Sequence, residues 1–100
     1  MKEEKHDLDW LQLSWQKRQK IGFVRILWGE NYATVFELQV SNDGRKWNTI
    51  REVRDGAGGI EELAINPPVV TRYFRLYGKK GTQGGSAYAI REIEVYETTR

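Results

Sequence analysis

The stretch FELQVSNDGRKW, residues 36–47, constrains this chain more than any other. Phe36, Leu38 and Val40 alternate with Glu37 and Gln39, and a period of two puts the apolar set on one face of a strand and the polar set on the other. Asn42, Asp43 and Gly44 follow. They supply side-chain hydrogen bonds to the local backbone and a residue that takes positive φ, so the chain reverses into a second strand over residues 46–53.

The remaining strands are read in the same way. Residues 10–13 form a short strand, and residues 16–20, with Lys17, Arg18 and Lys20, a solvated turn. Residues 23–28 are apolar on both faces apart from Arg25, as in a strand covered on both sides. A loop over 29–33 leads to the hairpin, and the glycine-rich residues 54–59 connect it to a strand over 60–65. Asn66, Pro67 and Pro68 are expected to end that strand, because proline cannot donate to a ladder. A strand over 71–77 precedes the longest loop candidate, 78–87, where binding residues tend to sit, and residues 90–96 form the last strand. Residues 1–8 are polar and without periodicity, which predicts a disordered or extended N-terminus before a single domain over residues 9–97. One hundred residues hold one core, and twelve aromatics with ten glycines suit pleated surfaces joined by turns. The pattern predicts an all-β, antiparallel, jelly-roll-like sandwich of about seven or eight strands. Trp28 and Trp47 are expected to pack inward.

Several function classes are disfavoured. Sixteen basic residues against fourteen acidic ones give a net charge of +2, too small to argue for a nucleic-acid partner. There is no cysteine, hence no thiolate chemistry or disulfide framework. No run reaches the ~18 apolar residues of a membrane span, and the charged opening lacks the apolar core of a signal peptide. The one histidine, His6, lies in the polar terminus, and Ser14, Ser41 and Ser86 have no neighbouring base, so no triad assembles. Glu61 and Glu62 fall on opposite sides of a strand, and Glu92 and Glu94 read as one solvated face, which argues against a glycosidase acid pair. Arg72 and Arg75 read as structural, with at least one expected to meet Glu92 or Glu94. The chain is read as a non-enzyme.

Four motifs in order carry a resemblance: Trp28-Gly29-Glu30-Asn31-Tyr32-Ala33, then Ser41 to Trp47, then Arg72-Tyr73-Phe74-Arg75-Leu76, then Ala87-Tyr88-Ala89-Ile90-Arg91-Glu92-Ile93-Glu94-Val95. The set resembles the discoidin-like, or coagulation factor 5/8 type C, domain, and within it the family 32 carbohydrate-binding modules. The resemblance implies a galactose-binding-domain-like sandwich and a non-catalytic module that binds a carbohydrate ligand and targets a tethered glycan-active protein to it, outside the cell or at its surface as part of a larger secreted protein. It also implies Tyr88 as a sugar-contacting aromatic, with Lys80, Glu30 and Asn31 beside it on the loops. Relatives place a structural calcium near the counterpart of Glu92, completed from an N-terminal loop. That loop is missing from the match, so weak or no calcium binding is expected. The alternative reading is a protein-interaction or assembly module in which a missing first strand exposes a sheet edge and allows an edge-strand homodimer. Binding to phospholipid headgroups ranks below both, since the 78–87 loop has lysines but no apolar spike.

Overall fold

The computed structural model describes the backbone of residues 2–8, 10–81 and 88–98, and the side chains from residue 11 onward within those ranges. Six strands are formed: β1 (Lys2–Leu8), β2 (Trp10–Trp28), β3 (Ala33–Ser41), β4 (Asn48–Val53), β5 (Ile60–Gly81) and β6 (Tyr88–Tyr96). They hydrogen-bond in the order β1-β6-β2-β5-β3-β4, and every pairing is antiparallel.

Two strands, β2 and β5, are long enough to belong to both halves of this ladder. The C-terminal part of β2 pairs with β6 and with the start of β5, from Phe23↔Ala64 to Leu27↔Ile60. Its N-terminal part pairs with the end of β5, from Trp10↔Tyr77 to Ser14↔Tyr73, and that part of β5 pairs with β3. Between the halves the register slips twice, at Ser14/Gln19 and at Ile21/Phe23. The sheet bends there and folds over itself, and its two inner faces share one core. Val24, Ile26, Leu63, Ile65, Ile90 and Ile93 come from one half, and Leu11, Leu13, Phe36, Leu38, Phe74 and Leu76 from the other.

The register explains where the sequence reading differs. Asn66-Pro67-Pro68 does not end the strand. Ile21 pairs with Val69 and Phe23 with Ala64, so β5 spends four residues where β2 spends one, and both prolines lie in that excursion, where no ladder donor is required. The turn expected at 16–20 is in part an excursion within β2: residues 15–18 lie out of register, and Gln19 and Lys20 are paired again, with Thr71 and Val70. Seven expected strands therefore merge into five, and β1 makes six.

The N-terminal segment, expected to be disordered or extended, forms β1. Its backbone pairs with β6 from Lys2↔Glu94 to Leu8↔Tyr88. Without it β6 would present a row of unpaired backbone groups, and pairing with that row rewards a polar segment that has no apolar face of its own. The edge that a missing first strand would have opened is covered, and with it goes the observation that suggested dimerisation there.

β6 departs from strict alternation at one point. Leu27 pairs with Glu92 and Trp28 with Ile90, so Arg91 is the extra residue, and Ile90, Ile93 and Val95 all turn inward. Phe36, fully buried, meets Trp28 edge-on at 5.4 Å between centroids. Phe36→Ala is expected to cost about 3–5 kcal/mol in urea unfolding; a loss below about 1 kcal/mol would show that this part of the core is not packed as described.

Candidate functional site

One end of the sandwich is built from backbone clamps. After β2, the Trp28 N–H donates to the Gly59 carbonyl (2.8 Å), the Gly29 N–H to the Ala89 carbonyl (2.6 Å), and the Ala89 N–H to the Asn31 carbonyl (2.7 Å). Residues 29–32 are thereby held between the β4–β5 connection and the start of β6, while the Glu30 and Asn31 side chains are exposed. Tyr32 is half-buried. Its ring lies where a Cβ on Gly58 would come within 2.6 Å, and Gly58 has a φ of +73°, so both space and backbone require glycine there. Glu61 anchors the floor: its Oε1 accepts from Trp28 Nε1 at 2.7 Å, and burial holds its carboxyl above the ordinary glutamate range against the pull of the indole and the Gly58 N–H.

The register brings Lys80 to the same end. Ala33 pairs with Gly81 and Val35 with Lys80, and the Lys80 carbonyl accepts from Thr34 Oγ1 at 3.2 Å, leaving the Lys80 side chain exposed. Glu30, Asn31 and Lys80 therefore share one end of the molecule. The other loop positions expected there, residues 82–87, lie outside the described residues.

Tyr88 does not join them. Its side chain is 1% exposed and its ring fills the space over Gly78, where any Cβ would overlap it. Gly78 faces inward after Phe74 and Leu76, so Tyr88 reaches from β6 into the opposite half and is a core residue, not a sugar platform. Glu92 sits within β6 opposite Leu27, and among the described residues no group of three or more His, Cys, Asp or Glu side chains comes together.

The outward face of the β2–β5–β3–β4 half was not foreseen. Ser41 Oγ accepts from the Gly44 N–H (2.9 Å) and the Asp43 N–H (3.3 Å), and Asp43 Oδ1 accepts from the Arg45 and Lys46 N–H groups (2.8 and 2.9 Å). The Lys46 and Arg45 N–H groups, and then the Ser41 hydroxyl, hold the Asp43 carboxyl at about 2, and all of these bonds shape the Ser-Asn-Asp-Gly turn. The turn delivers Trp47 to the surface rather than to the core. There its ring meets Tyr73 at 6.4 Å, and the Arg75 guanidinium lies 4.1 Å from its centroid. Arg75 pairs with no strand carboxylate among the described residues; it donates to Gln39 Oε1 at 2.6 Å, and Arg25 takes Glu94 and Glu62 instead. The signal was present in the sequence, because Tyr73, Arg75 and Tyr77 repeat at every second residue and so share one face.

On the same face, opposite Tyr77, Glu37, only 8% exposed, collects Lys79 Nζ (2.5 Å), Thr49 Oγ1 (2.6 Å) and Gln39 Nε2 (2.8 Å). Lys79 first, then Thr49 and Gln39, pull its carboxyl down to about 2.

The F5/8 type C domain family model matches residues 2–93. The chain belongs to this family. No curated protein matches the sequence significantly. Among solved structures, this F5/8 type C domain is similar to chitosan-binding module 1 from a chitosanase/glucanase of Paenibacillus sp. IK-5, at 25% identity and a TM-score of 0.79 over 96% of this chain and 76% of that one. Module 2 of the same enzyme, solved with chitotriose, matches at 24% identity and 0.79 over 96% and 77%. A family 32 module from a family 31 glycoside hydrolase of Clostridium perfringens matches at 21% and 0.75 over 95% and 74%. These neighbours are described as chitosan- or carbohydrate-binding modules, and at such identities the last two speak for the fold.

Two outcomes test this description of the domain. Tyr88→Ala should lower stability by about 3–5 kcal/mol, read by thermal or urea unfolding; full stability would return Tyr88 to the surface. For Glu37, the folded carboxyl lies below its ordinary value of 4.5. Its contribution is therefore complete above pH 4.5 and fades as pH falls toward about 2. Glu37→Gln should flatten the stability profile across that window, and an unchanged acid limb would show that Glu37 is not bound as described.

Proposed function

We propose that this domain is a carbohydrate-binding module that tethers a glycan-active protein to a polysaccharide or glycoconjugate, with its site at the end carrying Glu30, Asn31 and Lys80. The observation that supports this reading most directly is the clamped 29–32 segment. The Gly29 N–H and the Asn31 carbonyl are both bonded to Ala89, so the two exposed polar side chains between them are presented on a segment already tied to β6 before binding. A carboxylate, an amide and an ammonium meet the donors and acceptors that sugar hydroxyls require. Tyr32, half-buried beside them, replaces Tyr88 as the aromatic against which a pyranose ring stacks.

The neighbours give this reading a chemical direction: two bind chitosan by description, and a Clostridium perfringens module of the same family 32 was solved with GalNAc-β-1,3-galactose. In such modules a weak single site becomes effective through tethering, which raises the local concentration of the attached protein at its substrate. An extracellular or cell-surface setting follows from that role. The reaction belongs to the attached protein.

A glycan array followed by titration calorimetry tests the assignment. The wild-type domain should bind at least one glycan, and the Glu30→Ala/Asn31→Ala double variant should bind it about tenfold more weakly, the size expected for losing one or two polar contacts, with its melting temperature unchanged. Wild-type affinity in the double variant would remove the site from this end of the sandwich.

A further inference from the structure

The end just described leaves unused the most distinctive surface chemistry of the domain, the outward face of the β2–β5–β3–β4 half. We propose that this face is a second glycan-binding surface, for an extended anionic polysaccharide that bears carboxylate or sulfate groups and lies across Trp47, Tyr73, Arg75 and Tyr77. It stands on its own observations and does not depend on the assignment of the loop end.

Phe74 and Leu76 are fully buried, so Tyr73, Arg75 and Tyr77 project outward. The Arg75 guanidinium lies between two rings, 4.1 Å from the Trp47 centroid and 5.2 Å from that of Tyr77. Its Nε donates to Gln39. Stacking and this one bond fix the plane of the group, and among the described residues no carboxylate lies within ion-pair distance of it. The two Nη atoms form a fork suited to bidentate contact with a carboxylate or sulfate, and the orientation is already set before a ligand arrives.

The surroundings favour an anion. Arg45 and Lys46 are exposed in the turn that precedes Trp47, and the Arg72 guanidinium is 5.6 Å from the Tyr73 centroid. The carboxylates in this part of the fold are occupied: Asp43 by the Arg45 and Lys46 N–H groups, Glu37 by Lys79, and Glu52, across from Glu37, by Arg54. Tyr77, 39% exposed, offers ring surface to a sugar. Gly44 lies over the Tyr73 ring, so the open aromatic surface is that of Tyr77 and of Trp47, on either side of Arg75, a row that suits several linked sugars better than one. Rings alternating with planar polar groups, Gln39 and Arg75, suit a polymer whose rings present apolar faces and acidic groups in turn.

Affinity electrophoresis of the whole chain through gels containing polygalacturonate, dextran sulfate, neutral dextran or duplex DNA tests the proposal. Retardation by polygalacturonate or dextran sulfate, but not by dextran, is expected. The polymer that retards assigns the acidic group, and retardation by both assigns the shared charge. Arg75→Gln should weaken the interaction about tenfold, as for loss of one charge-assisted contact. Tyr77→Ser, at an exposed position, should weaken it several-fold without unfolding, and the Glu30→Ala/Asn31→Ala variant should be retarded like wild type. Four outcomes would overturn it: no retardation by either acidic polymer, equal retardation by DNA, wild-type behaviour of Tyr77→Ser, or loss of binding in the loop variant alone. Should Arg75→Gln fail to fold, Tyr77→Ser decides by itself.

Discussion

The pairing of β2 with β5 is the constraint on which the rest of this domain depends. Each strand serves both halves of the sheet, and the two slips in their register let one continuous ladder fold over its own core. β6 and β1 attach to the first half only through β2, while β3 and β4 attach to the second only through β5. The excursions that create the bend also accept residues that a regular ladder would reject. Two adjacent prolines sit there at no cost in hydrogen bonds, and the buried Thr71, just past the bend, donates its hydroxyl to the Ser41 carbonyl at 2.8 Å, tying the bend to the hairpin turn.

From that tie the outer face is assembled in order. Ser41 and Asp43 shape the turn, Gly44 at a φ of +76° passes directly over the Tyr73 ring, and the chain emerges with Trp47 above Arg75. Gln39 then links Arg75 to Glu37, where Lys79 and Thr49 complete the set. A nearly buried carboxylate is costly unless it is fully bonded, and here three donors from three different strands converge on it. The same network that keeps Glu37 ionised also fixes the amide against which the surface guanidinium is oriented.

How much of this was legible depended on whether a residue's role followed from its own strand or from a neighbour. The hairpin, the core alternation of β3 and the opposite directions of Glu61 and Glu62 followed from period two alone, and the four ordered motifs were enough to place the family. β1 was illegible because Lys-Glu-Glu-Lys-His-Asp-Leu has no apolar face; an unpaired edge on β6, not propensity, recruits it. The inward turn of both Ile90 and Ile93 was hidden because a single extra residue at Arg91 resets the alternation. At the candidate end, the bonds that hold residues 29–32 beside β6 are backbone bonds, which no side-chain pattern records.

Tyr88 and Trp47 exchanged roles for a common reason. A loop-borne tyrosine next to a strand suggests a ligand platform, and a tryptophan closing a hairpin suggests core, but in a small sandwich the decision belongs to the space opposite. Gly78 leaves a hole in the inner face large enough for a ring, and Tyr88 is the residue in reach of it. Opposite Trp47 the outward positions of β5 are already Tyr73, Arg75 and Tyr77, so the indole finds a guanidinium and a ring edge instead of a core cavity. Burial of the one ring and exposure of the other are thus each set by the residues across the sheet, Gly78 for Tyr88 and Arg75 with Tyr73 for Trp47, which the period of neither ring's own segment records.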